Sequence, residues 1–374
     1  MESVNRLEHF VARLPPLLQR IVRWSLDHSN AVMFVAGFLF DVLTIQRIDS
    51  LMDLAVQLLY IVVLAILLIL QHREAIGAWA PPPRLRGWWH HNVEALHFFY
   101  GGLLSAYVIL YFRSSTGARP LIFFLLLVAL FFLNEVPRVR KAGHRLRLGL
   151  YAFCLLSFLN YFVLIMLGRM GGVVFVISLS ITLALVWGLA DVLARRTRDR
   201  RGERERLFTP AAAVCAAIAI LYVLKLIPPV PLSVTFQGIY HDVQRHEGRY
   251  TLTYERPAVW TPWRHDSRPF HTRSGDRIFY FMRVFAPARF THTIFTRWEY
   301  QQANGVWLTT NRIELPVRGG RDEGFRTFAY KGTYQPGRWR VTAETDDGRA
   351  LATLSFRVEA DAETGERQWV MEEG

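Results

Sequence analysis

The stretch that decides the fold reads RRTRDRRGERER over residues 195–206 and AAAVCAAIAILYVLKLI over residues 211–227, and Pro228-Pro229-Val230-Pro231 follows it. Before this stretch the chain is almost continuously hydrophobic. After it, no apolar run approaches the roughly 20 residues that a membrane-spanning helix needs. We interpret the stretch as the last membrane crossing, which is followed by a soluble C-terminal domain.

The positive charge of the chain is concentrated in the membrane half. The whole chain carries a formal net charge of +13. Residues 1–227 contain 24 Lys and Arg against 13 Asp and Glu, a net charge of +11, whereas residues 228–374 contain 20 against 18, a net charge of +2. Because short basic loops of a membrane protein account for such an excess, we expect no nucleic-acid partner.

Seven segments are apolar and long enough to cross a bilayer. Connections of a few residues, such as Gly168–Gly171, make neighbouring segments antiparallel hairpins. The seven segments are Ala31–Ile48, Leu51–Leu70, Ala95–Phe112, Leu121–Asn134, Leu148–Leu167, Gly172–Leu193 and Ala211–Ile227.

The distribution of Lys and Arg in the loops predicts the orientation. With a cytoplasmic N-terminus, the cytoplasmic segments contain 19 Lys and Arg and the opposite side contains 4. The C-terminal domain then lies outside the cytoplasm. The predicted parts are an amphipathic cytoplasmic segment (1–29), a seven-helix membrane domain (30–227), a Pro-rich linker (228–232), a β-sandwich (233–358) and a polar tail (359–374).

The C-terminal domain has the period-two pattern of strands. In Trp339–Glu344, apolar and polar residues alternate, and turn signals such as Asn304-Gly305 and Asp347-Gly348 bound the apolar runs. Seven short strands predict an all-β, immunoglobulin-like sandwich in which the last two strands form a hairpin. The predicted strands are Arg249–Tyr254, Arg277–Phe285, Thr291–Tyr300, Val306–Leu315, Gly324–Tyr330, Gly337–Thr345 and Leu351–Val358.

Several motifs resemble a bacterial family of multi-spanning inner-membrane proteins that end in a periplasmic domain of unknown function, DUF2914. The resemblance implies an inner-membrane location with a periplasmic C-terminal domain, and it brings no catalytic residues. In the C-terminal domain the motifs are Arg283–Pro287, Thr296–Trp298, Trp307, Gly319–Arg321, Gly324–Arg326 and Pro336–Val341. In the membrane half they are Phe40-Asp41, Ser105–Tyr107 and Asn134-Glu135.

Polar side chains in the membrane segments are candidates for a polar path or a headgroup pocket. Asp41 lies about 15 Å into the first segment, near the bilayer midplane, where an ionisable group is expensive and is a functional candidate by default. The alternative is that Asp41 pairs with a neighbouring side chain and fixes helix packing. The further candidates are Asp53, Gln57, His97, Asn134 and Glu135.

Histidines of the C-terminal domain offer little for metal binding. Tyr240-His241-Asp242 places an imidazole beside a carboxylate, but no histidine spacing matches a zinc site and the domain has no cysteine. The sequence predicts neither a metal nor another cofactor. His241 and Asp242 stay candidates for ligand binding, and loop histidines are the simpler interpretation.

Tryptophans and arginines of the predicted strands are the other binding candidates. Trp298, Trp307 and Trp339 could form a glycan platform, although Trp298 and Trp339 lie in mid-strand and are better explained as core. Arg297, Arg326 and Arg340 flank them and could fold over the rings or bind an anionic ligand. No phosphate loop, nucleophile elbow or paired catalytic carboxylates are recognisable in the C-terminal domain.

The sequence favours a non-enzymatic envelope protein whose β-sandwich binds a protein or polymer partner. The first alternative is a transporter or lipid flippase that uses Asp41, and the second is a membrane-embedded lipid-headgroup transferase near Glu135. The lipid bilayer is the one required partner; an envelope protein, a glycan or a lipid is a candidate ligand, and a homo-oligomer is left open.

Overall fold

The computed structural model has an apolar helical region followed by a β-rich C-terminal region. It describes residues 15, 51–113, 143–168, 170–227, 232–257, 261, 263–286, 291–318, 324–361 and 365–374. The predicted spans Ala31–Ile48 and Leu121–Asn134 lie outside these residues, as does most of the predicted linker 228–232.

Six helices lie within the described residues, and all except the one-turn α2 are long and apolar enough to cross a membrane. These five long helices coincide with five of the seven predicted spans. The helices are α1 (Leu51–Ala75), α2 (Arg86–Trp89), α3 (Asn92–Arg113), α4 (Gly143–Leu167), α5 (Gly172–Ala194) and α6 (Arg200–Val223).

Helix α6 begins at Arg200 instead of the predicted Ala211, so the second half of the arginine-rich stretch is helical. Arg and Glu are good helix formers, which favours this extension. Asp199 precedes the helix, and its Oδ1 accepts a 3.0 Å hydrogen bond from the Gly202 amide, as N-cap residues do. The apolar pattern alone therefore underestimated the length of this helix.

Eleven strands lie within the described part of the C-terminal region. Seven of them match the predicted strands, whereas β1, β2, β4 and β11 were not predicted. The strands are β1 (Ser233–Tyr240), β2 (Asp242–His246), β3 (Arg249–Glu255), β4 (Phe270–Thr272), β5 (Ile278–Phe285), β6 (Thr291–Gln301), β7 (Trp307–Arg318), β8 (Phe325–Lys331), β9 (Gly337–Thr345), β10 (Ala350–Ala360) and β11 (Trp369–Glu373).

The strands pair in three sheets, with orders β1-β5-β8, β4-β10-β9-β6-β7 and β11-β3-β2. β9 and β10 pair antiparallel, which confirms the predicted hairpin, and β4 joins β10 in parallel. β11 pairs with β3 although its residues fall in the segment predicted as a polar tail. The immunoglobulin-like arrangement stays a prediction.

Strand β5 is buried on both of its faces. Tyr280, Met282 and Val284 belong to the cluster that contains the core of the five-stranded sheet. Phe281 belongs to a second cluster with residues of β2 and β3, such as Leu252. A strand covered on both sides requires a near-continuous apolar sequence, and β5 reads IFYFMRVF.

The described residues form two compact units. One contains the larger part of the helical region. The other contains Asn160–Ser178 and Ala219–Gly374, which include the end of α4, the start of α5, the end of α6 and all eleven strands. Within this second unit, Leu164 and Val174 belong to the same buried cluster as Trp298.

Arg349, which lies just before β10, joins the β9–β10 hairpin to the end of α6 within the second unit. Its guanidinium donates 3.2 Å hydrogen bonds to the carbonyl oxygens of Tyr222 and Ile227 and lies 3.8 Å from the Tyr222 ring centroid. Asp347 holds the same guanidinium at 2.8 Å. A cation at a helix C-terminus interacts favourably with the carbonyl groups there.

Replacing Trp298 with alanine should destabilise the β-rich region strongly. The Trp298 side chain is fully buried in the core, so its removal leaves a large cavity and should lower the free energy of unfolding by about 3–5 kcal/mol. Urea unfolding of the full chain, followed by tryptophan fluorescence, measures this change. Trp263→Ala is the control because that side chain is 70% exposed; an equal loss in both variants would contradict the assignment.

Candidate functional site

The face of the five-stranded sheet that points away from the core carries a groove. Along β10, Phe356 and Val358 are buried whereas Ser355 and Arg357 are exposed, as the alternation of a strand requires. The groove encloses about 340 Å³, which lies within the range of about 300–1,000 Å³ typical of ligand sites. Its lining residues are Gln301, Trp307, Arg338, Trp339, Ser355, Phe356 and Arg357.

The register of the sheet places four of these residues in one row. Gln301 of β6 lies opposite Trp307 of β7, and Arg338 of β9 lies opposite Arg357 of β10. β6 and β9 are neighbours in the sheet. Since adjacent strands are about 4.8 Å apart, a row across four strands extends over about 14 Å.

A network of buried ion pairs lies beside the groove on the same face. The side chain of Glu299 is 4% exposed and contacts Arg340 at 2.6 Å and Arg297 at 3.1 Å. Glu344 is 6% exposed and contacts Arg297 and Arg312, each at 2.9 Å. Each buried carboxylate is therefore held by two guanidinium groups, which compensates its loss of water.

Arg338 and Arg357, by contrast, lie opposite each other, and carboxylates offset little of their positive charge. Like charges at directly opposite positions of an antiparallel pair are destabilising. Arg357 lies 3.6 Å from Glu359, but both side chains are largely exposed, so this pair is weak. Among the described residues, no carboxylate forms an ion pair with Arg338. The row therefore ends in a concentrated positive charge.

Trp307 forms the other end of the row. The Arg340 guanidinium lies 4.4 Å from the centroid of its ring, and the same guanidinium binds Glu299. The network thus positions the arginine that stacks on the tryptophan. The predicted folding of an arginine over a tryptophan ring is present at this pair.

Of the other aromatic and arginine candidates, Trp339 lines the groove with its buried side chain, whereas Trp298 and Arg326 do not line it. Trp298 and Trp339 are buried, at 0% and 2% exposure, as the core interpretation expected. Arg326 lies on β8 in a different sheet, where it is opposite Arg283, and its carbonyl oxygen accepts a hydrogen bond from the Tyr250 hydroxyl. Of the predicted candidates, the structure brings together Arg297, Trp307 and Arg340.

His241 lies in a separate cluster of charged side chains. Its own side chain is 5% exposed, stacks on Phe270 at 4.1 Å, and has its ring nitrogens 3.5 Å from Glu255 and 3.9 Å from Asp276. Burial, with Arg367 nearby, lowers the pKa of His241 to about 4. Asp242, its neighbour in sequence, instead accepts hydrogen bonds from the Val243 amide and the Gln244 side chain.

Arg367 already fills the space between the carboxylates of this cluster. It contacts Asp276 at 2.8 Å, Asp361 at 3.1 Å and Glu255 at 3.4 Å, and its side chain is 9% exposed. Among the described residues, no group of three or more His, Cys, Asp or Glu side chains is arranged to hold a metal ion. The cluster therefore attaches the segment that leads to β11, and its geometry does not form an open site.

The candidates of the membrane half are only partly described. Asp41, Asn134 and Glu135 lie outside the described residues. Asp53 and Gln57 lie in the first two turns of α1 with intermediate exposure, and the Gln57 side-chain oxygen has no hydrogen-bond partner among the described residues. His97 lies on α3 and is 3% exposed. Asp53, Gln57 and His97, the three candidates within the described residues, form no shared site.

A partly buried polar cluster in the helical unit was not predicted. Gln71 of α1 donates a 2.6 Å hydrogen bond to the Asn92 side chain of α3 and accepts a 2.7 Å hydrogen bond from Arg147 of α4. The Tyr100 hydroxyl donates to the Arg147 carbonyl oxygen at 2.8 Å. Arg147 lies just before the predicted span Leu148–Leu167, but α4 begins at Gly143 and includes it.

The groove residues Arg338, Ser355 and Arg357, and the buried Glu299 and Glu344, were also missed. Their alternation with Trp339, Phe356 and Trp298 marks them as residues of the opposite face. Strand register, which brings Arg338 opposite Arg357, is not visible in the sequence.

Comparison with known proteins supports the C-terminal resemblance alone. Residues 291–358 match a family described as "Protein of unknown function (DUF2914)". This segment contains all the groove residues. No curated protein matches the chain.

Among solved structures, the chain has a weak likeness to the Pseudomonas fluorescens alkylpurine DNA glycosylase AlkC bound to DNA containing an abasic site analog. The sequences are 10% identical, and the match covers 81% of this chain and 99% of that chain with a TM-score of 0.19. This likeness carries no argument about fold or function.

Two arginine substitutions should have opposite effects on stability. Arg338→Gln relieves the repulsion with Arg357 and should raise the free energy of unfolding by up to about 1 kcal/mol. Arg340→Gln removes a partner of the buried Glu299 and should lower it by about 1–3 kcal/mol. Urea titrations of the full chain measure the free energy of unfolding of the wild type and of both variants. A clear loss of stability in Arg338→Gln would show that this residue is structural.

The stability of the β-rich region should depend on the protonation of His241. The pKa of His241 is about 6.5 in the unfolded chain and about 4 in the folded chain. The folded state therefore has its full stability above pH 6.5, and the free energy of unfolding falls as the pH decreases from 6.5 to 4. The loss attributable to His241 is at most about 3–4 kcal/mol.

Unfolding titrations at several pH values, compared between the wild type and His241→Phe, isolate this contribution. His246→Phe, at an exposed position, is the matched control. The expected result is a flatter pH profile for His241→Phe alone, and identical profiles for the three proteins would refute the assignment.

Proposed function

We propose that the chain is a membrane-anchored, non-enzymatic binding protein whose β-rich domain binds a ligand in the groove of the five-stranded sheet. The observation that carries this proposal is the weakly compensated pair Arg338 and Arg357 at the end of a row that also contains Trp307. Functional sites typically contain a local arrangement that lowers the stability of the fold, as the two facing arginines do here. The neighbouring ion pairs of Glu299 and Glu344 support the fold.

The composition of the groove agrees with a binding role. Arginine and tryptophan are the residues most enriched at binding hot spots. The groove lies on strands, which hold side chains more firmly than loops do. We propose no catalytic reaction, because the described residues that line the groove include no acid–base or nucleophilic pair.

The helical region, on this proposal, anchors the binding domain to a membrane. Five helices that are long and apolar enough to cross a membrane support an anchor. We further propose the full arrangement of seven spans in a bacterial inner membrane, with a periplasmic sandwich. The excess of 19 Lys and Arg over 4 in alternate loops supports this orientation.

A substitution that fills the groove without changing its charge tests this proposal. Ser355 is exposed and lines the groove, so Ser355→Trp should block a ligand while leaving the core intact. The full chain is purified in native-membrane nanodiscs, and the molecules that accompany it are identified by mass spectrometry. Gln244→Trp, an exposed position on another sheet, is the matched control.

A molecule retained by the wild type and by Gln244→Trp but lost from Ser355→Trp is the expected result. Equal retention of every co-purifying molecule by all three proteins would contradict a binding function for the groove.

A further inference from the structure

We infer that the ligand of the groove is an acidic polysaccharide, which binds with its carboxylate groups at Arg338 and Arg357 and its sugar rings toward Trp307. This inference rests on the proposed function.

The charge at the β9–β10 end of the row favours an anionic ligand. On the same face, Arg297, Arg312 and Arg340 all bind the buried carboxylates of Glu299 and Glu344. Arg338 and Arg357 do not take part in these pairs. A bound carboxylate would turn the unfavourable pair of arginines into a clamp, and hydrogen bonds between ionised partners are about twice as strong as neutral ones.

The length of the row favours a chain over a single small anion. From Arg357 on β10 to Trp307 on β7 the row crosses four strands, which corresponds to about 14 Å. A free phosphate or sulfate would fill only the arginine end. An extended ligand reaches the remaining part of the groove, whose volume is about 340 Å³.

The groove side chains other than the two arginines favour sugar over peptide. Gln301 lies between the two ends of the row, and Ser355 lies two residues from Arg357 on β10; both are polar and can pair with hydroxyl groups. Trp307 is half-buried, with the Arg340 guanidinium 4.4 Å from its ring centroid, and it offers the part of its aromatic ring that this contact leaves uncovered. Protein partners are usually bound through large apolar anchors that enter desolvated pockets. The apolar groove residues Trp339 and Phe356 are instead buried in the core, at 2% and 6% exposure.

The test is a calorimetric titration of the full chain in nanodiscs of phosphatidylcholine, which has no net charge. The probes are a hexameric uronate oligosaccharide, a neutral hexasaccharide of the same linkage, inorganic phosphate and a glutamate hexapeptide. The proteins are the wild type, Arg338→Gln, Arg357→Gln and the control Arg249→Gln, whose arginine is 78% exposed on β3.

The expected result is binding of the uronate oligomer that is at least about tenfold stronger than binding of the other three probes. Each of Arg338→Gln and Arg357→Gln should weaken uronate binding about tenfold or more, the loss that one charge-assisted hydrogen bond accounts for. Arg249→Gln should bind like the wild type.

Equal affinity for the neutral hexasaccharide, equal or stronger binding of the glutamate peptide, or uronate binding that is insensitive to both groove substitutions would overturn the inference. If no probe binds while Ser355→Trp still loses a co-purifying molecule, the ligand class is wrong and the groove assignment survives. If that loss is also absent, both proposals fail.

Discussion

The outer face of the five-stranded sheet depends on the carboxylate of Glu299. This group is 4% exposed, and it is retained in the sheet because Arg297 and Arg340 both bind it. The same contacts place the Arg340 guanidinium over Trp307. Buried ion pairs contribute little net stability but are costly to break, so they fix the geometry of the face more than they strengthen the fold. The groove is built beside this fixed arrangement.

The β9–β10 hairpin carries two features of the second unit. Near one end of the hairpin, Arg338 lies opposite Arg357 in the groove. At its turn, Arg349 holds the carbonyl oxygens at the end of α6. Beneath the hairpin, Trp298 and Tyr280 fill the core, and β5 connects that core to the β2 and β3 cluster. The site is thus positioned by packed strands on one side and by paired charges on the other.

Much of the fold could be predicted because hydrophobic period and length are local properties. Five long helices and seven strands followed from them, and Trp298 and Trp339 were recognised as core. β4 and β11 were missed because they are short and depend on pairing with β10 and β3. The site was predicted only in part: Trp307 and Arg340 were named as candidates. The pairing of Arg338 with Arg357 was not predicted, because strand register sets it and register follows from the tertiary structure. Asp41, Asn134 and Glu135 stay predictions.

We propose that Arg338 and Arg357 repel each other and are retained because they bind a ligand. A double-mutant cycle on the free energy of unfolding, using the wild type, Arg338→Gln, Arg357→Gln and the double variant, measures this interaction directly. The account predicts an unfavourable coupling of about 0.2–1 kcal/mol in the absence of ligand, reduced when a polyanion is present. A favourable coupling in the ligand-free protein would show that the two arginines support the fold and would contradict the account.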